Sequence, residues 1–521
     1  MNPQDLPPVV TSAQMRALDE LAIKKYGIPS LDLMENAGSR VARYIIDYIC
    51  ERLLTGKQIA ILCGPGNNGG DGYVVARHLA AAGAKVGIFS VEAVSKLKGD
   101  AKVNADRVAK NGISVVEFEE GTQPVDLSGY HVIIDALFGT GFHGSIDGVA
   151  ARLIRAANAS GVPIIAIDTP SGLDNDSGQY AEPAIRATHT LTLGAVKLGQ
   201  QFWPGRVIVG ELDIIDIGIP REAVRELGPK TFLMTSEFVR ESLPARPPDG
   251  HKGTFGKALI IGGSAGFSGA VVLASNASMR AGVGLTYAAV PESLVDVVDA
   301  GAIETVTRAL PEVGGKRVLA RRALGECLRL SDQVDAIAIG PGLSTHHETQ
   351  ELVRRLIQRL ARPAVIDADG LNACASDVSC LEVERSAQLI LTPHVGEMAR
   401  LLDSSNEDIA RDRRAAALEA ARRFKCIVVM KGAPTFVADP NGYLYVNPTG
   451  NSGMASGGVG DVLTGIIVSL LAQGCQPLNA ALLGTYLHGL AGDIAADSVG
   501  QRSLVASDLV EALPDTFSYI T

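Results

Sequence analysis

A polar, glycine-rich stretch at residues 64–72, GPGNNGGDG, has the composition of a ligand-binding loop between a strand and a helix. Its glycines formally match the G-x-G-x-x-G fingerprint of dinucleotide-binding loops. Asp71, however, would lie at the helix N-terminus, where a pyrophosphate belongs, and a carboxylate there repels that anion. The stretch therefore argues against an ordinary dinucleotide site. The alternative is that Asn67, Asn68 and Asp71 only cap the helix, as short polar side chains do well.

Two further aspartates stand where apolar runs end. Asp135 follows VII and precedes ALFGTG, and Asp168 follows PIIAI and precedes TPSGLD. Asn68, Asp135 and Ser171 supply only hard oxygen ligands, which suit a potassium, sodium or magnesium ion. Asp168 is then the carboxylate left to face a substrate, and its chemistry would be proton transfer. The alternative for each aspartate is an ordinary turn residue at a strand end.

A second glycine-rich segment, TGNSGMASGGVGDVLTG, occupies residues 449–465 and precedes the apolar helical pattern IIVSLLAQG. Successive amides of residues 457–460 would point into one concavity at a helix N-terminus, forming an anion hole for a transferring phosphoryl group. Asp461 would stand beside it and could accept a hydroxyl proton as the alcohol attacks phosphorus. The alternative is an aspartate that caps the helix behind a glycine-rich turn.

Two strand ends add charged groups to this second segment. Lys431 in MKGAPT could meet phosphate or adenosine, although a lysine at a strand end is often only a solvated charge. In TPHVGE, His394 and Glu397 lie three residues apart, and Glu397 could hold a magnesium-bound water or cap a helix. No G-x-x-x-x-G-K-[ST] sequence occurs, so the site is not of the Walker type. None of the nine histidines has zinc-binding spacing, so zinc is not expected.

Short apolar runs alternate with longer helical patterns throughout the chain. This βαβ rhythm, with strands too apolar to have a wet face, predicts parallel sheets covered by helices. Such sheets bind ligands at the carboxyl ends of their strands, which is where the glycine-rich and polar loops fall. In TFVADPNGYLYV, the pair Asn441-Gly442 between alternating residues predicts a hairpin.

The chain has 521 residues, which fits two large α/β domains in tandem. The densest break is LPARPPDGHKGTFG at residues 243–256, so a boundary belongs between about residues 217 and 250. We place it after residue 224, giving domains 1–224 and 225–521. The loops of the two halves differ, so the halves are not expected to be duplicates.

Composition excludes several classes of protein. Lys+Arg 47 against Asp+Glu 57 gives a net charge of −10, which argues against nucleic acid as a partner. No signal peptide or membrane-spanning run is evident, so we expect a cytoplasmic protein without a membrane partner. Apolar stretches such as VARYIIDYICERLL could form core or subunit contacts, and we expect a homo-oligomer. Seven scattered cysteines are expected to be reduced thiols: Cys50, Cys63, Cys327, Cys374, Cys380, Cys426 and Cys475.

Together these motifs resemble one family, the bifunctional NAD(P)H-hydrate repair enzymes, in which an epimerase domain is fused to an ADP-dependent dehydratase domain. LMENAG, GPGNNGGDG, DALFGTG and DTPSGLD are similar to the epimerase half. HKGTFGKALIIGGS, GPGL, DADGLN, TPHVGE, KGAPT and GNSGMASGGVGDVLTG are similar to the dehydratase half, and the resemblance covers nearly the whole chain. The second half is also similar, more distantly, to ribokinase-like enzymes. The resemblance implies an N-terminal Rossmann-like three-layer α/β domain and a C-terminal ribokinase-like α/β domain.

For the first domain, the resemblance implies interconversion of the R and S epimers of hydrated cofactors, NADHX and NADPHX. Asp168 would be the proton-transfer residue, and Asn68, Asp135 and Ser171 would hold a potassium ion. The residues implied in hydrate binding are Asn67, Asn68, Gly69, Gly70, Asp71, Gly139, Thr140, Gly141, Phe142, His143, Gly144, Ser145 and Asp168.

For the second domain, the resemblance implies that ADP, or ATP, phosphorylates the hydroxyl of the S epimer before phosphate is eliminated. With ADP the products are the reduced cofactor, AMP and phosphate, and Asp461 would act on the substrate hydroxyl. The implied hydrate-binding residues are Ala270, Gly342, His394 and Asp461, and the implied nucleotide-binding residues are Lys431, Gly432, Ala433, Pro434, Thr435 and Gly460.

The sequence departs from the family pattern in a few places. Val395 stands where proline is usual, Ser456 and Val459 replace threonines, and His394 stands where ribokinase-like kinases tend to carry asparagine. The changes at Val395, Ser456 and Val459 put the nucleotide preference in question rather than the reaction type, whereas His394 means that the magnesium geometry around Glu397 need not follow that of the kinases. Two rival functions are a small-molecule kinase fused to a nucleotide-binding domain and a non-catalytic cofactor-binding or scaffold protein.

Overall fold

The computed structural model describes residues 2–49, 53–121 and 125–521, which form two compact units. The first unit is Pro7–Pro229, and the second is Lys230–Thr521 together with the N-terminal residues up to Leu6. Cys50, expected to be a reduced thiol, lies outside the described residues. The other six cysteines are free thiols.

The first unit contains a seven-stranded, wholly parallel sheet in the order β4-β3-β2-β5-β6-β7-β9, and a separate two-stranded parallel pair, β1-β8. Its strands are β1 (Val9–Val10), β2 (Gln58–Cys63), β3 (Lys85–Ser90), β4 (Val115–Glu117), β5 (Val132–Ala136), β6 (Ile164–Ile167), β7 (His189–Leu193), β8 (Val196–Lys197) and β9 (Glu211–Ile215). Its helices are α1 (Ser12–Glu20), α2 (Ser30–Tyr44), α3 (Asn67–Ala81), α4 (Gly99–Lys110), α5 (Gly148–Ala159), α6 (Arg206–Val209) and α7 (Arg221–Leu227).

Alternate residues of one strand enter different apolar clusters. Ile59, Ile61 and Cys63 of β2 pack into one cluster, whereas Ala60 and Leu62 pack into another. Because successive side chains of a strand point to opposite faces, the sheet is covered on both faces. Full burial of each large aliphatic side chain contributes about 1.5–3 kcal/mol, which explains why these strands are almost wholly apolar.

The second unit contains a ten-stranded sheet in the order β10-β19-β18-β17-β16-β15-β14-β11-β12-β13. Its strands are β10 (Thr231–Leu233), β11 (Lys257–Ile261), β12 (Leu285–Pro291), β13 (Val306–Leu310), β14 (Ala336–Ile339), β15 (Ala364–Ile366), β16 (Leu389–Leu391), β17 (Ile427–Met430), β18 (Thr435–Ala438) and β19 (Leu444–Asn447). All neighbours are parallel except at β18, which is antiparallel to both β17 and β19. The hairpin predicted at Asn441-Gly442 is confirmed as the β18-β19 connection, with Gly442 at a φ of 85°.

Helices accompany this second sheet throughout. They are α8 (Ser236–Ser242), α9 (Ser268–Arg280), α10 (Val295–Gly301), α11 (Leu324–Ser331), α12 (His347–Ile357), α13 (Ala368–Ala375), α14 (Ser379–Glu382), α15 (Val395–Leu402), α16 (Asn406–Arg411), α17 (Arg413–Phe424), α18 (Val459–Ala472), α19 (Pro477–Val499) and α20 (Ala506–Ile520). Across residues 2–49, 53–121 and 125–521, no helix has both the length and the apolar character that a membrane crossing needs.

The division between the units falls between Pro229 and Lys230, slightly beyond the boundary drawn at residue 224. Helix α7 accounts for the difference. Ala223 is buried in the same apolar cluster as Leu18 of α1, and Leu227 packs against that cluster. The helix therefore stays with the first unit to its end.

Neighbouring loops approach closely at the carboxyl ends of the strands. A Cβ on Gly64, after β2, would lie 1.7 Å from the carbonyl oxygen of Leu137, after β5. A Cβ on Gly340, after β14, would lie 1.8 Å from the carbonyl oxygen of Asp367, after β15. Only glycine fits such contacts, so these loops are held together at the sheet edge.

Two candidate active sites

The first unit has a cavity of about 600 Å³ at the carboxyl edge of its sheet. It gathers residues that the sequence predicted from three separate loops, namely Asn67, Asn68, Asp71, Gly139, Thr140, Gly141, Phe142, His143 and Asp168. Four other predicted residues, Gly69, Gly70, Gly144 and Ser145, are not among those that line it. Gly69 and Gly70 serve packing, since a Cβ would lie 1.9 Å from the Gly64 carbonyl oxygen at one and 2.6 Å from Met34 at the other.

Asp168 is fixed in this cavity by contacts to both carboxylate oxygens. Its Oδ1 accepts hydrogen bonds from Lys197 Nζ and, at 3.3 Å, from the Leu193 amide. Its Oδ2 accepts hydrogen bonds from the Thr140 hydroxyl and, at 3.2 Å, from the Thr140 amide. The residue has a left-handed backbone with φ 66°, and Gln200 donates a hydrogen bond of 2.6 Å to its carbonyl oxygen. The carboxylate is therefore held in one orientation.

Lys197 is the functional residue that sequence reasoning missed here. Its side chain is 0% exposed, and its Nζ also donates to the Thr192 hydroxyl at 3.0 Å and the Leu193 carbonyl at 2.9 Å. Burial raises the pKa of Asp168. The Lys197 charge and the hydrogen bonds from Lys197 and Thr140 together lower it by more, so the net pKa lies below its usual value. A lysine inside the apolar stretch TLGAVKLG was the available signal.

Two other carboxylates in the cavity have the opposite tendency. Burial, followed by the charges of Asp168 and Asp19, raises the pKa of Asp71 well above its usual range. Burial and the Asp168 charge raise the pKa of Asp19 to about 6. Asp19 lies on α1, which the sequence motifs did not include. One cavity thus contains a carboxylate whose pKa is lowered beside two whose pKa is raised.

A cluster of oxygen atoms lies beneath the cavity, where the sequence predicted an ion. The Asp135 carboxylate is fully buried and accepts hydrogen bonds from the Ser171 hydroxyl at 2.6 Å and the Ser171 amide at 2.8 Å. Asn68 donates to the Phe138 carbonyl at 3.1 Å, and its own Oδ1 is buried without a hydrogen-bond partner among the described residues. Burial raises the pKa of Asp135 to about 6 against these hydrogen bonds. Ser171 also donates to the Phe138 carbonyl at 3.3 Å, so Asn68 and Asp135 are linked through shared partners, and a buried carboxylate with an orphaned oxygen nearby fits a cation.

In the second unit, the carboxyl edge of the sheet holds a cluster of charges around Lys431. Lys431 Nζ donates to Asp367 Oδ1 at 2.8 Å and lies 3.7 Å from Glu397 Oε2. Asp367 is 1% exposed and also accepts a 2.8 Å hydrogen bond from the Thr464 hydroxyl. Burial lowers the pKa of Lys431, but the charges of Asp367 and Glu397 raise it by more. The net pKa lies above its usual value, so the amine stays protonated. Asp367 belongs to DADGLN, which sequence reasoning noted without giving it a role.

Asp461 lies in the first turn of α18, behind the left-handed N-cap Gly458, whose φ is 89°. Burial and the Asp367 charge raise the pKa of Asp461 to about 7, against the lowering effect of Lys431. Gly460 is beside the same cluster, since a Cβ there would lie 3.4 Å from Lys431 Nζ. The predicted aspartate, lysine and glycine are thus brought together at a helix N-terminus.

His394 and Glu397 form a reciprocal capping box at the start of α15. His394 Nδ1 accepts from the amides of Gly396 and Glu397 at 2.9 and 3.3 Å, and Glu397 Oε2 accepts from the His394 amide at 2.8 Å. One carboxylate oxygen of Glu397 therefore caps the helix, as the alternative interpretation predicted. The role of Glu397 in binding magnesium stays a prediction. Burial, with the charges of Lys431 and Arg400, lowers the pKa of His394, so its ring is neutral.

The remaining predicted residues lie on two loops of this unit. Ala270 and Gly342 are neighbours, since a Cβ on Gly342 would lie 3.2 Å from the Ala270 Cβ. The loop 431–435 is held from beneath by Arg413, whose guanidinium donates to the carbonyls of Pro434 at 2.9 Å and Ala433 at 2.6 Å. Arg413 lies on α17, the helix just before β17, and belongs to none of the sequence motifs.

Fold and sites define a class: a two-domain α/β enzyme with a carboxylate and a lysine at the carboxyl edge of each sheet. A family model described as "YjeF-related protein N-terminus" matches residues 30–199, and one described as "NAD(P)H-hydrate dehydratase" matches residues 258–515. The bifunctional NAD(P)H-hydrate repair enzyme of Moorella thermoacetica is 44% identical over 97% of this chain and 96% of its own length. The enzyme of the same name from Thermofilum pendens is 42% identical over 97% of this chain and 95% of its own.

Among solved structures, the ADP/ATP-dependent NAD(P)H-hydrate dehydratase from Bacillus subtilis is 30% identical, with a TM-score of 0.48, and covers 55% of this chain and 98% of that one. Because the two relatives from Moorella thermoacetica and Thermofilum pendens are similar to this chain over nearly their full length, the chain belongs to the bifunctional NAD(P)H-hydrate repair enzyme family. The predicted fold class, two tandem α/β domains of Rossmann-like and ribokinase-like type, is confirmed. So is the predicted function of cofactor repair by an isomerase and a lyase, and the kinase alternative is not favoured.

Proposed function

We propose that the protein repairs hydrated nicotinamide cofactors at two centres, one in each unit. The first would interconvert the R and S epimers of NADHX and NADPHX. The second would dehydrate the S epimer with ADP, or ATP, as phosphoryl donor. The observation that carries the proposal is that each unit presents a carboxylate from a predicted motif, Asp168 or Asp461, near a lysine at the sheet edge, Lys197 or Lys431.

At the first centre, Asp168 would move the proton. Lys197 keeps this carboxylate ionised and Thr140 fixes its orientation, so it can accept a proton without rearranging. The loops that carry Asn67 and Gly139 form the walls of the cavity and would hold the hydrate.

The oxygen cluster of Asn68, Asp135 and Ser171 would hold a potassium ion. The orphaned Asn68 Oδ1 and the buried Asp135 carboxylate support a cation at this position. When bound, the ion would supply positive charge that neutralises Asp135 and attracts anionic oxygens of the hydrate.

At the second centre, Asp461 would accept the proton of the substrate hydroxyl as the hydroxyl oxygen attacks the terminal phosphorus of ADP. AMP then leaves, the ring nitrogen expels the new phosphate group, and loss of a neighbouring proton restores the double bond. The amides at the start of α18 would stabilise charge on the transferring group, and Lys431 would bind the nucleotide phosphates. The loop 431–435 and Gly460 would form the nucleotide site.

Magnesium would bind near Glu397, through water. The charges support a cation there, because Lys431 contacts the carboxylates of Asp367 and Glu397 and is also influenced by the charge of Asp461, so acidic groups outnumber the one amine in this cluster. When bound, the ion would supply charge neutralisation for the nucleotide phosphates.

The test is to mix the purified chain with an equal mixture of the R and S epimers of hydrated NADPH, add ADP or ATP separately, and follow the absorbance of reduced nicotinamide. Complete recovery with one nucleotide would support both activities. Recovery that stops near half would show a dehydratase without an epimerase. Absence of recovery with both nucleotides, or accumulation of a stable phosphorylated product, would contradict the proposal.

A further inference from the structure

Helix α1 forms part of the wall of the first cavity, although the matched family model begins at residue 30, beyond this helix. Met15, Arg16 and Asp19 of α1 line the cavity, together with Ile23 just after it. These positions lie on one face of a helix, because residues three and four apart are neighbours there. The apolar residues among them face the cavity beside a single carboxylate, that of Asp19.

Two anchors fix α1 relative to Asp168. The amide of Ser12, at the helix start, donates a 2.6 Å hydrogen bond to Asp176, which lies on the loop that follows Asp168. Val10, just before the helix, pairs with Lys197, the lysine that binds Asp168. Asp19 is therefore held against the same centre by backbone pairing and by a hydrogen bond.

The Asp19 carboxylate is free for chemistry. Within the described part of the chain, it has no hydrogen bond and no ion pair. The same holds for Asp71, which is 7% exposed and lines the same cavity. Asp71 is buried and Asp19 is partly buried, and removing an unpaired carboxyl group from water disfavours its ionised form, which raises the pKa of both groups. Asp168, in contrast, has its charge compensated by Lys197.

We propose that Asp19 is the second catalytic residue of epimerisation and donates the proton to the departing hydroxyl of the hydrate. This proposal rests on the epimerase function proposed above. In the hydrated nicotinamide, the hydroxyl is carried by the ring carbon beside the nitrogen. A proton passes from Asp19 to the hydroxyl oxygen, the C–O bond breaks, and its electron pair leaves with water while the nitrogen lone pair forms a C=N bond.

Water then adds to the opposite face of the ring. A new C–O bond forms, the C=N electron pair returns to nitrogen, and Asp168 accepts the proton that the water loses. Asp19 ends ionised and Asp168 protonated, and exchange with solvent restores both groups. Atoms and charge balance without any further reactant, and the reverse sequence serves the opposite direction.

Asp19→Asn tests this role, since it removes the acidic proton but keeps the shape. We expect the enzyme-dependent rate of R-to-S conversion to fall at least about 100-fold, within the range for loss of a general acid, with little change in KM. Asp19→Glu should restore part of the rate. Glu20→Gln, on the next residue of α1 but outside the cavity, is the matched control and should epimerise like the wild type.

Two further measurements distinguish chemistry from structure. Without nucleotide, in water labelled with heavy oxygen, each inversion by the wild-type chain should place one labelled oxygen in the hydroxyl group. The wild-type rate should also fall as pH rises through the pKa of Asp19, about 6, because the acid form is required. That limb should be absent in Asp19→Asn. Other charged or titratable groups also face this region, so the pH profile of the wild-type chain must be compared with that of Asp19→Asn. These groups are Arg16, Asp71, Asp100, His143, Asp168 and Lys197.

A wild-type rate in Asp19→Asn, an unchanged pH limb in that variant, or inversion without label would each overturn the proposal. If the wild-type chain itself does not epimerise the hydrate, it is the proposed function that fails. Dehydration of the S epimer by the same preparations shows that the second unit is active in every sample.

Discussion

Asp168 and Asp461 occupy opposite electrostatic settings. Asp168 gains a direct lysine contact and three hydrogen bonds, so its pKa is lowered. Asp461 is near Lys431 but also near the carboxylates of Asp367, Asp369 and Glu397, so its pKa is raised to about 7. The two proposed proton-transfer groups should therefore respond differently to pH.

Asp461→Asn should retain the fold, because the isosteric side chain can still occupy the first turn of α18. It should reduce dehydration about 100- to 10,000-fold, because an amide cannot accept the hydroxyl proton. Since the ionised form is the active one, wild-type dehydration should rise with pH through about 7, where the raised pKa of Asp461 lies. The rate of reduced-nicotinamide recovery measures both, and wild-type turnover by the variant would contradict this role.

Lys197→Met should destabilise the first unit by about 3–5 kcal/mol, because it leaves the buried Asp168 carboxylate unpaired. The pKa of Asp168 is lowered on folding, so its pairing contributes stability above its unfolded pKa and loses it as pH falls through the folded pKa. The variant's deficit should shrink in acid. Trp203 is the chain's single tryptophan and lies in the first unit, so its fluorescence during urea unfolding reports this unit. A deficit that is independent of pH would refute the pairing argument.

At the scale of elements, the strand-end loops are positioned by close approach rather than by many side-chain contacts. Gly340→Ala should shift Asp367, because its Cβ would meet the Asp367 carbonyl at 1.8 Å and φ is 139°. We expect lower dehydration and a lower melting temperature by circular dichroism. Gly442→Ala is the control, since it has positive φ but open space and should cost only about 1 kcal/mol without loss of activity. Equal effects of the two substitutions would show that backbone strain, rather than contact, matters at residue 340.

Strands, glycine loops and the hairpin were predictable because they depend on local apolar runs and turn residues. Helix α1 was not assigned to the site. Its sequence, SAQMRALDE, is amphipathic and has no chemical motif. Its place beside the cavity depends on the pairing of Val10 with Lys197, which joins residues far apart in the chain.

At the scale of the whole molecule, the two centres lie in separate units. A change that inactivates one centre should therefore leave the activity of the other unchanged. Replacing potassium with a much larger cation should slow epimerisation without changing dehydration of the S epimer, because the oxygen cluster belongs to the first unit. With a mixture of the R and S epimers, recovery of the reduced cofactor would then slow once about half of the hydrate has been consumed. Assays of the separate epimers check this, and equal loss of both activities would contradict the placement of the ion.

The sequence by itself determined the two α/β halves, the glycine-rich loops and the aspartates at Asp168 and Asp461, because these follow from local pattern and residue type. Tertiary structure alone decided which charges pair. Lys197 with Asp168 and Lys431 with Asp367 join residues from different strands, and Asp19 reaches the first cavity from a helix without a motif. The physical reason is that a pKa depends on burial and on the nearest charges, and neighbours in space are set by how the sheet is assembled.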